Sequence, residues 1–251
     1  MKMNKKKVLT ASLAISLVAI LSFGTIAWFN AEDKITNTFK VADSDDDDTQ
    51  ADFSVDVFET DKPNGKETQG NEYSDILPGD VLHKDPTVRN TGSYDMYTRV
   101  LVTLSDASLW IDASQKYDIV SVAVNDSAHY TILEKMIKVE PNRWTRYEAP
   151  MYDATADTLT YVYYYKEVVP VGEETKSVFT KVTIPEVLQQ EDMDFGAGAD
   201  FTITVKAEAI QSRNMIPDNA YLNGKNESWY AFNKTAGWTA GTEYDALIPE
   251  N

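Results

Sequence analysis

At 251 residues the chain is long enough for one β-sandwich or two small domains. Its 23 Lys and Arg against 40 Asp and Glu leave a formal charge of −17, which repels nucleic acid and anionic lipid and suits basic partners or divalent cations. The absence of cysteine excludes disulfides, thiol catalysis and thiolate metal sites, so the fold must rely on its core.

The chain opens on MKMNKKK, a positive segment carrying Lys2, Lys5, Lys6 and Lys7. The apolar stretch VLTASLAISLVAILSF (8–23) follows, about 16 residues where a spanning helix needs roughly 20. Gly24 and the small-x-small step Thr25-Ile26-Ala27 close it. This is the layout of a cleavable secretory signal, with cleavage after Ala27 and Trp28 as the new N-terminus. An uncleaved N-terminal anchor is the alternative. The expected organisation is a signal over 1–27, an N-terminal segment over 28–50 and a single domain over 51–251. Contact with a membrane is then made only through the uncleaved signal.

The run DSDDDDTQ (43–50) is too acidic to pack and is expected to form a surface loop or arm. It lacks the alternating ligands, mid-loop Gly and terminal Glu of an EF-hand, so no metal or other cofactor is implied. Beyond it the chain reads as strand. Phe53, Val55 and Val57 alternate with Ser54 and Asp56. Met96, Val100, Val102 and Leu104 share one face of MYTRVLVTL. Phe201, Ile203, Val205, Ala207 and Ala209 share one face of FTITVKAEA, with Thr202, Thr204, Lys206 and Glu208 on the other. TLTYVYYYKEVV (158–169) is rich in Tyr and β-branched residues, which favour strand.

KPNG (62–65), LPGD (77–80) and PVGEE (170–174) are turn signals. Short helices are expected at SDASLWID (105–112), capped by Ser105 or Asp106, and near the C-terminus at ESWYAFNK. Residues 131–138, TILEKMIK, fit helix or strand. The pattern predicts an all-β chain folded as one antiparallel β-sandwich with a few short helices in its loops.

Four patches carry a family resemblance. The signal region GTIAWFNAEDKITNTFKVAD contributes Gly24, Thr25, Ala27, Trp28, Phe29 and Asn30, then Asn37 and Phe39; Ala42-Asp43 stand where a Gly often closes the pattern. LPGDVLHKDPTVRNTG contributes Leu77, Pro78, Gly79, Asp80, Val88, Asn90 and Gly92. A third patch holds Trp144, Tyr164, Tyr165, Lys166, Gly172, Glu173, Thr175 and Phe179, and a fourth is anchored by Gln211 and Trp229. In this order they resemble the TasA/camelysin family of exported proteins, which are processed by a SipW-type signal peptidase.

The resemblance implies a jelly-roll core and a secreted structural protein. Such a protein forms or decorates extracellular fibres in a biofilm matrix or on the cell surface of a Gram-positive-type bacterium. It also implies assembly by donor-strand exchange, in which the segment freed by signal cleavage adds to the next subunit's sheet. The candidate donor is Trp28 to Val41, with Trp28, Phe29, Ile35, Phe39 and Val41 as apolar anchors. The implied partners are other copies of the chain, the signal peptidase and a surface anchor protein.

Camelysin-like metallopeptidase activity is an alternative. Only two histidines are present, His83 and His129, with no HExxH, and the expectation is that both are exposed and structural. There is also no GxSxG, Walker A or GxGxxG pattern, so the chain reads as non-enzymatic. In β geometry Tyr161, Tyr163 and Tyr165 point one way and Tyr164 the other. Sheet packing is the expectation for them; an adhesin or carbohydrate-binding module stacking sugars on these rings is the alternative.

Overall fold

The computed structural model describes residues 30–35, 54–61, 65–73, 76–120, 126–189, 201–213, 215–216, 222 and 224–235. In chain order these form β1 (Asn30–Ile35), β2 (Val55–Thr60), β3 (Glu67–Thr68), β4 (Val81–His83), β5 (Thr87–Asn90) and β6 (Met96–Ser105). Helix α1 (Ala107–Lys116), a 3-10 turn (Asp126–Thr131) and α2 (Ile132–Met136) follow. Then come β7 (Trp144–Thr145), β8 (Met151–Asp153), β9 (Thr158–Tyr165), β10 (Lys181–Thr183), β11 (Ile203–Gln211) and α3 (Glu227–Thr235). Among the described residues strand clearly outweighs helix, every pairing is antiparallel, and the chain is all-β with short helices.

The main sheet runs β1-β11-β6-β9-β7, with β8 also paired to β9. Period-two alternation dictates its inner face. Met96, Val100, Val102 and Leu104 of β6, Tyr161, Tyr163 and Tyr165 of β9, and Val205, Ala207 and Ala209 of β11 enter one core. The same core holds Val55 and Val57 of β2, Val88 of β5, and Val182 and Ile184 at β10, so a second layer closes over the main sheet.

That second layer is built from short strands, β3-β2-β5 and β4-β10. Backbone bonds splice β4 and β5 against one partner segment. Gly172 N donates to Asn90 O at 3.0 Å, Thr175 N to Val88 O at 2.8 Å and Val178 N to Pro86 O at 2.9 Å. Lys84 N donates to Thr180 O at 3.4 Å and Ile184 N to Asp80 O at 2.8 Å. Residues 79–90 therefore run antiparallel to 172–184 as one ladder.

The turn chemistry expected from the sequence appears at both ends of this ladder. Gly79 has φ +89° in a turn closed by Asp80 N to Leu77 O at 3.1 Å, and Gly172 has φ +77°. Asn90 does more than turn the chain. Its buried amide donates to Tyr94 O (2.8 Å) and Val169 O (3.0 Å), while its Oδ1 accepts from Gly92 N (3.1 Å).

The helices pack through distant partners. The expected caps of α1 do not serve it: Asp106 is left-handed (φ 52°) and makes no side-chain capping bond. Asp157 caps instead, accepting from Ser108 N and Ser108 Oγ at 2.8 Å each. A residue far along the chain thus satisfies the orphan donors, which no local pattern reveals. The ambiguous TILEKMIK is helical over Ile132–Met136, then extended at Ile137, which bridges to Val182. Tyr161 fixes that helix by donating to Tyr130 O and accepting from Leu133 N at 3.2 Å.

Helix α3 covers part of the outer face of the main sheet. Trp229, Tyr230, Ala231 and Phe232 cluster with Tyr97, Tyr164 and Ile210. Asn226 caps it through Trp229 N (2.8 Å), and Tyr97 donates to Glu227 Oε2 (2.8 Å). The Arg99 guanidinium lies 4.4 Å from the Phe232 ring centroid.

Two outcomes test this packing. Asp157→Ala is expected to destabilise the protein by about 1–2 kcal/mol, and Asp157→Asn by less, as read from urea midpoints. The second concerns the buried tyrosines. Burial, with the Glu148 charge second, pushes Tyr164 up to about 12, and burial also raises Tyr161 and Tyr163 above the ordinary 10.0. The unfolded phenols lose their protons first, so stability is whole below pH 10 and falls as pH rises through the folded values. Tyrosinate absorbance and loss of the β circular-dichroism signal are therefore expected to rise together above pH 10.

Candidate functional site

The outer edge of the main sheet is where the segment behind the predicted cleavage point meets the folded body. β11 lies one strand in from that edge, and its inward residues are small or β-branched. Val205, Ala207 and Ala209 are fully buried, and the alternate residues Lys206 and Glu208 stay on the other face. Glu208 is held there by Arg99, whose Nε donates at 2.7 Å, and by Lys206 Nζ at 3.2 Å. β6 pairs with one side of β11 over nine positions, Ile203↔Leu104 to Gln211↔Met96.

β1 takes the other side over six positions. The register is Asn30↔Ile210, Ala31↔Ala209, Glu32↔Glu208, Asp33↔Ala207, Lys34↔Lys206 and Ile35↔Val205. β1 is the outermost strand of the sheet, and β2 of the second layer lies against both β1 and β11. Two of the six positions set like charge opposite like charge, an arrangement that weakens cross-strand pairing.

Of the expected donor Trp28–Val41, the described part is Asn30–Ile35. Ile35 stands opposite Val205, whereas Trp28, Phe29, Phe39, Val41 and the cleavage pair Ala27–Trp28 lie outside the described residues. Cleavage after Ala27 would make Asn30 the third residue of the mature chain. Between Ile35 and Ser54 the chain has 18 residues, which reach at most roughly 60 Å when extended.

The histidines fall on separate elements. His83, on β4, shares a 3.0 Å hydrogen bond with Thr60 Oγ1 and lies 3.4 Å from Asp85 Oδ1. His129, in the 3-10 turn, shares a 3.0 Å hydrogen bond with Ser114 Oγ. Both are partly buried rather than exposed, because each has a packed partner. Among the described residues no group of three or more His, Cys, Asp or Glu could hold a metal ion, and no helix is long and apolar enough to cross a membrane.

The tyrosines on which sugar stacking would rest are core residues. Tyr161, Tyr163, Tyr164 and Tyr165 are all buried, and Tyr165 packs on Trp144 with ring centroids 4.8 Å apart. Trp144 Nε1 donates to Lys176 O at 2.8 Å.

One polar cluster had not been foreseen. Glu59 of β2 is fully buried and pairs with Lys84, and its second oxygen accepts from Asn71 Nδ2 at 3.0 Å. The sequence carries a signal for it: Glu59 is in phase with Val55 and Val57, so period two directs a carboxylate inward. β1 lies inside the expected donor segment Trp28–Val41 and is a strand although NAEDKI has little apolar alternation.

Comparison of the chain with family models, curated proteins and solved structures finds no match.

The register makes a charge prediction. Lys34→Glu places opposite signs at the Lys34↔Lys206 position and is expected to stabilise the monomer by about 0.2–1 kcal/mol. Thermal melts in low salt read the gain, and added salt should shrink it.

Proposed function

We propose that this chain is an exported structural subunit of extracellular fibres, of the TasA/camelysin type, with a jelly-roll sandwich as its body. A SipW-type peptidase frees the segment that begins at Trp28. That segment then leaves its own sheet and pairs with β11 of the next copy. The product is a filament of a biofilm matrix or cell surface, seated on an anchor protein, and the reading assigns the subunit no enzymatic role.

The observation that carries this reading is the pairing of β1 with β11. Among the described residues, the strand nearest the expected new N-terminus is the outermost strand of the main sheet, and its register sets Glu32 opposite Glu208 and Lys34 opposite Lys206. A copy from a neighbour would make the same backbone bonds, so exchange sacrifices no hydrogen bonding. Head-to-tail exchange whose rotation does not close yields filaments, the proposed outcome, rather than rings. The 18 residues after Ile35 give the strand the reach to pair outside its own subunit.

The experiment uses the natural absence of cysteine. Ala31 and Ala209 are register partners, so Ala31→Cys with Ala209→Cys can tie β1 to its own sheet. Mature protein starting at Trp28 is expected to polymerise, as read by light scattering and electron microscopy. The same protein carrying extra residues before Trp28, and the double-cysteine variant when oxidised, should stay monomeric. Reduction should release the variant to polymerise. Equal filament formation by the extended and trimmed chains, or by the oxidised variant, overturns the reading.

A further inference from the structure

The geometry points to an autocatalytic amide cross-link between Lys84 and Asn71, formed by Glu59 in the second layer. Glu59 is fully buried on β2, and the Lys84 side chain is nearly so, with 11% of its surface exposed. One Glu59 oxygen accepts from Lys84 Nζ and the other from Asn71 Nδ2 at 3.0 Å. Asn71 Nδ2 also donates to Thr60 O at 3.3 Å, which holds the carboxamide against the end of β2. A buried lysine needs only a counter-ion to be tolerated. Here the counter-ion also grips the partly buried carboxamide of Asn71, so one carboxylate holds an amine and an acyl group side by side.

That is the equipment for amide exchange. Glu59 takes a proton from the Lys84 ammonium, and the freed electron pair on Nζ attacks Asn71 Cγ. A tetrahedral centre forms. As it collapses, a proton passes from Nζ by way of Glu59 to Nδ2, the Cγ–Nδ2 bond breaks, and ammonia departs. Ammonia takes the remaining proton and leaves as ammonium, and Glu59 ends as it began. No oxidant, metal or co-reactant is consumed. Holding the two groups on one carboxylate supplies the effective concentration that an amide and an amine lack in water.

The bond would close the segment 71–84, joining the chain just after β3 to the middle of the ladder 79–90. In a chain without cysteine it is a covalent staple between the segment after β3 and the link from β4 to β5. It lies in the second layer and leaves the β1–β11 pairing untouched.

Intact-mass spectrometry of the folded mature protein tests it. The wild type is expected to weigh less than its sequence by one ammonia, and digestion should yield a branched peptide joining Lys84 to Asn71. Glu59→Gln and Lys84→Arg should restore the full mass, with circular dichroism reporting whether each is folded. Asn71→Asp should lose water instead of ammonia. Wild-type protein at full mass, with Lys84 and Asn71 recovered in separate unmodified peptides, overturns the proposal. So does an ammonia loss that maps elsewhere while Lys84 remains free. The wild-type measurement decides the matter even if a variant fails to fold.

Discussion

Every backbone donor and acceptor along β11 needs a partner, and this constraint organises the molecule. β6 supplies partners on one side through nine register positions. On the other side β1 supplies them through six. The inner face of β11 is Val205, Ala207 and Ala209, which contribute little side-chain area for gripping a neighbour. The β1–β11 pairing therefore leans on main-chain bonds. A second molecule can make those bonds equally well. Under the proposed exchange, the choice between closed monomer and exchanged chain would turn on tether length and protein concentration rather than on contact chemistry.

An exchangeable edge is useful only on a body that stays folded when the edge opens. The far side of the main sheet is closed by β7 and β8, two and three residues long, which offer little for another strand to add to. The core is tied across by tyrosines whose hydroxyls bind other elements: Tyr161 at α2, Tyr97 at α3 and Tyr165 at Lys176 N. The ladder of 79–90 against 172–184 joins the second layer along its length. In it the LPGD–Asn90 patch and the Gly172–Phe179 patch become hydrogen-bonded neighbours, although 80 residues or more separate them in sequence.

How much of this was legible follows from what a sequence encodes locally. The alternation in 96–104 and 201–209 gave the correct inner faces, because half-buried strands must alternate. The positive-φ glycines Gly65, Gly79 and Gly172 sit in the expected turns, because few other residues tolerate that conformation. Features that depend on distant partners were not legible. Asp157 capping α1 and Asn90 reaching Val169 are decided by the tertiary fold alone. The strand character of 30–35 came only from the family resemblance, because NAEDKI carries charge where a strand usually carries apolar side chains. Glu59 was visible in principle, as the one acid in the buried phase of its strand, but its partners Lys84 and Asn71 were not.

The charge of the chain bears on the same edge. Sheet edges with unpaired backbone invite indiscriminate pairing, and one common defence is charge. A formal charge of −17 makes copies repel at long range, and the proposed signal cleavage, by removing Lys2, Lys5, Lys6 and Lys7, would make it more negative. Repulsion screened over about 8 Å at physiological salt acts on approach and hardly at all between bonded backbones. Random encounters between copies are thus discouraged, while a strand paired with β11 is held by short-range bonds that salt does not screen. Under the proposed assembly, acidity of this degree and strand exchange would be complementary: the first would keep subunits apart in solution, and the second would give them one permitted way to join.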